Sequence, residues 1–258
     1  MATPEAPLRD RVLVVTGASA GIGAALAREA GRRGAKVVVA ARRQAELEEV
    51  ASSIGTNALA VPTDVTVRAS VDALFAAALD RFGRVDVWVN NAGRGITRPL
   101  EELADGDVTD MIRDNVLSAL YGMQAVLPHF RERGDGQIVN VSSLLSRTPF
   151  ATFRSAYCAA KAALNSLTES LRLDLRKTAP GITVTLILPG PVATDFGANA
   201  LGGGVDSRAL PGAQTAEEVA LVVADAIERR LEDVYTRPEY AGRVREYVAA
   251  LEAGTIGR

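Results

Sequence analysis

A chain of 258 residues with 48% hydrophobic and 23% charged residues has enough apolar material for a large core and too little charge for a disordered chain. One histidine, His129, and one cysteine, Cys158, exclude an intrachain disulfide and any one-subunit zinc site of four cysteines, paired cysteines and histidines, or three histidines, and they oblige any Ser-His-Asp triad to run through His129. A formal net charge of −2, with 29 basic residues scattered among 31 acids, leaves no basic stripe for nucleic acid and points to a small-molecule partner.

Residues 1–10 lack the basic start and apolar centre of a secretory signal, and no apolar run approaches the roughly 20 residues that span a bilayer, so a cytoplasmic protein without a membrane segment is expected. The first predicted strand, 12–16, runs straight into Thr16-Gly17-Ala18-Ser19-Ala20-Gly21-Ile22-Gly23 and a helix over 21–33. Glycines at such a turn let the backbone approach a ligand closely, and the helix N-terminus offers unpaired N–H groups to an anion. The spacing G-x-x-x-G-x-G lacks the Gly-Lys-Ser/Thr ending of a nucleotide triphosphatase loop, which disfavours ATP hydrolysis. The alternative is a small-residue turn that merely packs helix on sheet.

The second strand, 36–41, ends on Ala41, where dinucleotide folds that hold a free ribose 2′-hydroxyl carry an acid. Arg42 and Arg43 follow at the start of a helix over 44–54, where each cation opposes the dipole by about a few tenths of a kcal/mol. An incoming 2′-phosphate would reverse that penalty, so NADP(H) is preferred over NAD(H), with Ser19 as a further donor. The alternative is that both arginines face water.

Strands over 58–61, 86–90, 136–142, 182–188 and 233–236 alternate with helices over 70–82, 108–131, 155–177, 216–230 and 239–251, with no linker dividing the chain. The expectation is one α/β domain over 1–258, a doubly wound parallel sheet of about seven strands flanked by helices. Segment 195–214, containing Gly202-Gly203-Gly204, is too long for an ordinary connection and reads as a substrate lid. His129 falls at a predicted helix end, where a cation suits the dipole, and Cys158 reads as a small buried filler.

Tyr157 and Lys161 stand four apart near a predicted helix start and so share one face. Only Lys36, Lys161 and Lys177 are lysines, against 26 arginines, which makes a chance Tyr-x-x-x-Lys uncommon. A free phenol, with a pKa near 10, exchanges protons poorly at neutral pH; an ammonium about 4 Å away at an effective dielectric near 20 could lower that by up to about three units, making the tyrosine a usable acid and base.

Six ordered motifs, Thr16 to Gly23, Asn90-Asn91-Ala92-Gly93, Asn115, Ser142-Ser143, Tyr157 with Lys161, and Pro189-Gly190-Pro191-Val192-Ala193-Thr194, resemble those of the short-chain dehydrogenases/reductases in their single-domain branch. The resemblance covers nearly the whole chain. It implies a Rossmann-type fold and a tetrad of Asn115, Ser143, Tyr157 and Lys161 acting on a ketone, aldehyde or secondary alcohol beside a bound nicotinamide. Tyr157 would exchange the proton, Ser143 would hydrogen-bond the substrate oxygen, Lys161 would bind the nicotinamide ribose, and Asn115 would hold a water in the proton relay. The cofactor set adds Gly17, Ser19, Gly21, Ile22 and Gly23, Arg42 and Arg43, Asp64 at the adenine, Val65, Asn90, Ala92 and Gly93, Pro189 and Gly190, and Val192 and Thr194 at the carboxamide. Homodimers and homotetramers are common in the family. From Ser143 to Tyr157 is fourteen steps, one more than the family commonly shows, which reads as an insertion in the loop 144–154, with Ser142 and Ser146 as alternative serines and Asp64 equally a local cap. The substrate pocket would draw on Leu144, Leu145, Phe150, Phe153 and Phe196, while Arg147 and Arg154 point either to an anionic substrate or to solvent. The rival readings are a non-catalytic NADP-binding regulator of the same fold, against which the complete tetrad argues, and a methyltransferase, which has no need of Tyr157 or Lys161.

Overall fold

A computed structural model describes residues 7–256; residues 1–6, part of the amino-terminal segment read above as no secretory signal, and residues 257–258 lie outside the described residues. Seven strands form one parallel sheet: β1 (Val12–Thr16), β2 (Lys36–Ala41), β3 (Ala58–Pro62), β4 (Val87–Asn90), β5 (Gly136–Val141), β6 (Ile182–Leu188) and β7 (Asp233–Tyr235), in the order β3-β2-β1-β4-β5-β6-β7. Buried Val, Leu and Ala on both sheet faces explain why the strands read as continuous apolar runs.

Alternate residues feed two cores. Leu13, Val15, Val37, Val39, Val87 and Val89 pack with α1 (Gly21–Arg32), α2 (Gln44–Ile54) and α7 (Ala216–Glu228). Val14, Val38, Ala40, Trp88 and Ile138 pack on the other face with α3 (Arg68–Phe82), α5 (Ser118–Arg133) and the end of α6 (Ser155–Thr178). Helix α8 (Pro238–Glu252) closes the β7 side. The strand order reverses between β1 and β4, and the crevice beyond their carboxyl ends is where such sheets take ligands.

The expected helix over 108–131 is two helices, α4 (Asp105–Ile112) and α5, joined by a π turn at Arg113–Leu117. The π turn shifts the backbone ladder by one residue, and the Asp114 carbonyl instead accepts from the Ser118 hydroxyl at 2.8 Å. His129 lies inside α5, and burial, joined by the nearby Arg133 charge, lowers its pKa, so it contacts the Val85 backbone at 3.2 Å as a neutral ring and not as a dipole-matched cation. Among the described residues no helix is long and apolar enough to cross a membrane.

Candidate active site

The first wall is the turn after β1. Gly17 and Gly21 have φ +65° and +55°, a left-handed backbone that side chains disfavour. A Cβ on Gly17 would lie 2.8 Å from the Ala92 Cα, and one on Gly23 would lie 2.5 Å from the Gly17 carbonyl oxygen. The close approach is fixed by Asn91, whose Nδ2 donates to the Thr16 and Gly17 carbonyls (2.9 and 3.2 Å), and by the Thr16 hydroxyl, which accepts from the Asn91 and Ala92 N–H groups at 3.1 and 3.2 Å. Helix α1 starts with no side-chain cap and no acid in its first turn, so its open N–H groups and positive pole meet the cavity uncompensated.

At the end of β2, Arg43 donates to the Ser19 hydroxyl at 3.0 Å and pairs with Glu46 at 3.2 Å, whereas exposed Arg42 has no ion pair among the described residues. Both line the cavity with Asp64 and Val65. Asp64 is also a local cap: its carboxylate accepts from the Thr66 N–H and hydroxyl at 2.9 and 2.7 Å, and the hydroxyl bond foremost, helped by the Arg42 charge, holds its pKa low.

Beyond β5 the three candidate serines separate. Ser142 donates to the Asn165 Oδ1 at 2.6 Å, Asn165 Nδ2 donates to Ser146 Oγ at 2.7 Å, and the Ser146 hydroxyl donates to the Ser143 carbonyl. Ser142 and Ser146 are therefore committed to one hydrogen-bonded knot. Ser143 Oγ accepts from the Leu145 N–H at 3.2 Å and faces the same cavity as the Tyr157 phenol, whose pKa it pulls down.

Tyr157 and Lys161 lie one turn apart on α6, both buried. Lys161 Nζ donates to the Val141 carbonyl at 2.9 Å and stands 5.9 Å from the Tyr157 ring centroid. Burial pushes the Tyr157 phenol up to about 12, against the opposing pull of Ser143 and the Arg154 charge, and burial pushes Lys161 down to about 8. The expectation was that Lys161 depresses the Tyr157 pKa; in this state desolvation outweighs the Arg154 charge, and the Lys161 ammonium donates to a backbone carbonyl.

Asn115 falls in the π turn, buried at 1% exposure, and it does not line the cavity. Its Oδ1 accepts from the Arg94 N–H at 3.2 Å, and its Nδ2 donates to the Arg94 and Met111 carbonyls at 2.9 and 3.1 Å. The side chain pins the Gly93-Arg94 backbone. A Cβ on Gly93 would lie 2.7 Å from Asn115 Oδ1 and 3.3 Å from Lys161 Nζ, which places that backbone against the lysine.

The opposite wall is 189–194. Val192 bridges Gln214, and the Thr194 methyl would lie 3.1 Å from a Cβ on Gly21. The segment read as a lid is tethered to the wall: Leu201 forms a parallel bridge with Ile96, through Thr97 N–H to Leu201 O at 2.8 Å and Leu201 N–H to Gly95 O at 2.9 Å. Phe196 packs on Tyr157 with tilted rings, their centroids 5.6 Å apart.

These walls enclose about 850 Å³, near the top of the range for ligand sites. Gly17, Ser19, Gly21, Ile22, Arg42, Arg43, Asp64, Val65, Ala92, Gly93, Ser143, Tyr157, Lys161, Pro189, Gly190, Val192 and Thr194 all line it. Gly23, Asn90 and Asn115 do not. Asn90 is corrected to a core residue: it is buried, accepts from Trp88 Nε1 and donates to Asn140 Oδ1, each at 2.8 Å. Sequence reasoning missed Asn91 and Asn165. The double asparagine signalled the first but not which of the two faces the turn; nothing in the sequence ties Asn165 to the serines.

Residues 11–201 match the family model described as short chain dehydrogenase. An uncharacterized oxidoreductase of Staphylococcus aureus (strain USA300) is 34% identical over 234 residues, covering 90% of this chain and 98% of that protein. The crystal structure of a short chain dehydrogenase/reductase from Burkholderia phymatum in complex with NAD aligns with TM-score 0.87 at 28% identity, covering 96% of both chains. An alcohol dehydrogenase from Thermococcus sibiricus complexed with 5-hydroxy-NADP aligns with TM-score 0.78 at 29% identity, covering 90% of this chain and 98% of that one.

Proposed function

The chain belongs to the short chain dehydrogenase family, and from that premise we propose that it is an NADP(H)-dependent oxidoreductase acting on a ketone, an aldehyde or a secondary alcohol, with Tyr157 as the acid and base. The observation that carries this reading is the meeting of Ser143, Tyr157 and Lys161 in the same cavity as the open glycine turn. The fit to a dinucleotide rests on the Gly17 and Gly21 cradle, the uncapped α1 terminus and the ribose-side arginines. Gly17, Ser19, Gly21 and Ile22 would take the pyrophosphate, Arg42 and Arg43 the 2′-phosphate, Asp64 and Val65 the adenine, and Val192 and Thr194 the carboxamide. When bound, a nicotinamide supplies or accepts a hydride.

The protein's own groups handle the proton. Tyr157, its pKa raised by burial, is protonated at neutral pH and holds the proton that a carbonyl oxygen would take. Ser143, on the same cavity wall, would hydrogen-bond the same substrate oxygen. Lys161, with Gly93 against it, binds ribose hydroxyls and keeps a positive charge beside the phenolate left after transfer. Asn115 is a positioning residue that fixes Gly93 and Arg94.

The test follows NADPH and NADH oxidation by absorbance with a panel of ketones, aldehydes and diketones. Faster oxidation of NADPH is expected; a protein that binds NADPH yet oxidises it with none of them is not this enzyme.

A further inference from the structure

The cavity's charges are unevenly matched. Of its carboxylates, Asp64 is bound by Thr66, Asp114 pairs with Arg113 at 3.1 Å, and Asp195 pairs with Arg208 at 2.8 Å. Away from the ribose-side arginines, Arg94 and Arg154 also line the cavity, and among the described residues neither makes an ion pair with a carboxylate. Arg147, the other cation the sequence singled out, is paired with Asp233 at 3.1 Å and is not part of the cavity wall.

Arg154 has the more informative setting. It is the N-cap residue of α6, a 24-residue helix with no acid in its first turn and no side-chain cap. A cation there faces the positive pole of the helix, an arrangement that costs stability until an anion arrives. It precedes Tyr157 by three residues, lines the same cavity, and its charge reaches the phenol. The guanidinium lies 5.9 Å from the Phe153 ring centroid, and Leu144, Leu145 and Phe150 line the same cavity. Phe150 and Phe153 are 65% and 42% exposed, so the rim that flanks the cation is apolar and open.

We propose that Arg154 anchors a carboxylate on the substrate, with Arg94 as the second unpaired cation of the wall, so that the enzyme acts on oxo acids with an apolar body. This deepens, and rests on, the oxidoreductase reading. The anchored group takes no part in the electron balance. The carbonyl carbon takes a hydride from NADPH and its oxygen takes the Tyr157 proton, giving the hydroxy acid and NADP⁺, while the carboxylate is unchanged.

Calorimetric titration with benzoylformate and with its methyl ester, on protein with and without NADP⁺, tests this. The acid should bind at least about tenfold more tightly than the ester. In Arg154→Met that preference should fall below about threefold, and in Arg154→Lys much of it should remain, which guards against a mere folding defect. Equal binding of acid and ester, a preference unchanged in Arg154→Met, or no binding of either ligand overturns the anchor. The two readings fail separately: an acid that binds through Arg154 without NADPH being consumed removes the hydride chemistry and leaves the anchor, whereas NADPH oxidation that is indifferent to the acid group does the reverse.

Discussion

Replacing Arg42 by alanine should change which dinucleotide the protein prefers. Arg42 is exposed, lines the cavity and has no ion pair among the described residues, its charge acting only at longer range on Asp64, so a 2′-phosphate could take it as a direct partner. A unit charge at about 4 Å contributes about 1 kcal/mol in water and about 4 kcal/mol at an effective dielectric of 20. At an exposed rim the lower half of that range applies, about 1–2 kcal/mol, or roughly a 5- to 30-fold loss of NADPH affinity. Arg43 already shares its charge with Glu46 at 3.2 Å, so Arg43→Ala should cost less, about threefold. NADH lacks the phosphate and should lose little with either change. Fluorescence titration with both cofactors at two salt concentrations reads this directly, because the phosphate term alone should weaken as salt rises. If Arg42→Ala weakens NADH as much as NADPH, or if the unaltered protein binds NADH at least as tightly, the assignment of these arginines is wrong.

Four further outcomes are expected. Gly17→Ala should lose about 2–5 kcal/mol of stability and most cofactor binding, since it combines a φ of +65° with a Cβ 2.8 Å from the Ala92 Cα; a melting curve and an NADPH titration check it. Asn165→Ala should release Ser142 and Ser146 and lower kcat about tenfold with NADPH affinity retained, whereas Ser143→Ala should cost about a hundredfold and exceed Ser142→Ala and Ser146→Ala in steady-state assays. Buried Asp86 is driven upward by desolvation, but the bonds from the Val12 N–H, Arg133 and Arg84 prevail and hold its pKa low, so its contribution is present at neutral pH and fades as pH falls through that depressed value; Asp86→Asn should cost about 3–5 kcal/mol at pH 7 and progressively less in acid, by denaturant titration. Lys161, lowered by burial to about 8, loses its charge as pH rises through that value, so kcat/KM for reduction should be level below about pH 8 and fall above it.

The sheet was legible because buried parallel strands are short β-branched runs, and all seven lie where the apolar pattern puts them, to within a residue or two. The break at Arg113–Leu117 was not, because a π turn keeps helical composition and is set by how Asn115 seats against Arg94. The same limit governs the site. Spacing located Tyr157, Lys161 and the glycine turn, since each depends on residues close in sequence. It misassigned Asn90, because which of two adjacent asparagines faces the turn depends on strand register, and it overstated the effect of Lys161 on Tyr157, because desolvation is a property of the folded surroundings. The serine ambiguity needed the contact with Asn165, twenty-two residues from Ser143.

The central claim is that Tyr157 supplies the proton, and Tyr157→Phe isolates it by removing one oxygen from a residue whose ring still packs on Phe196. With a carbonyl substrate found in the panel, NADPH affinity should be retained while kcat for NADPH oxidation falls by about 10²–10⁴. A variant that binds NADPH normally and keeps most of its turnover would contradict the account.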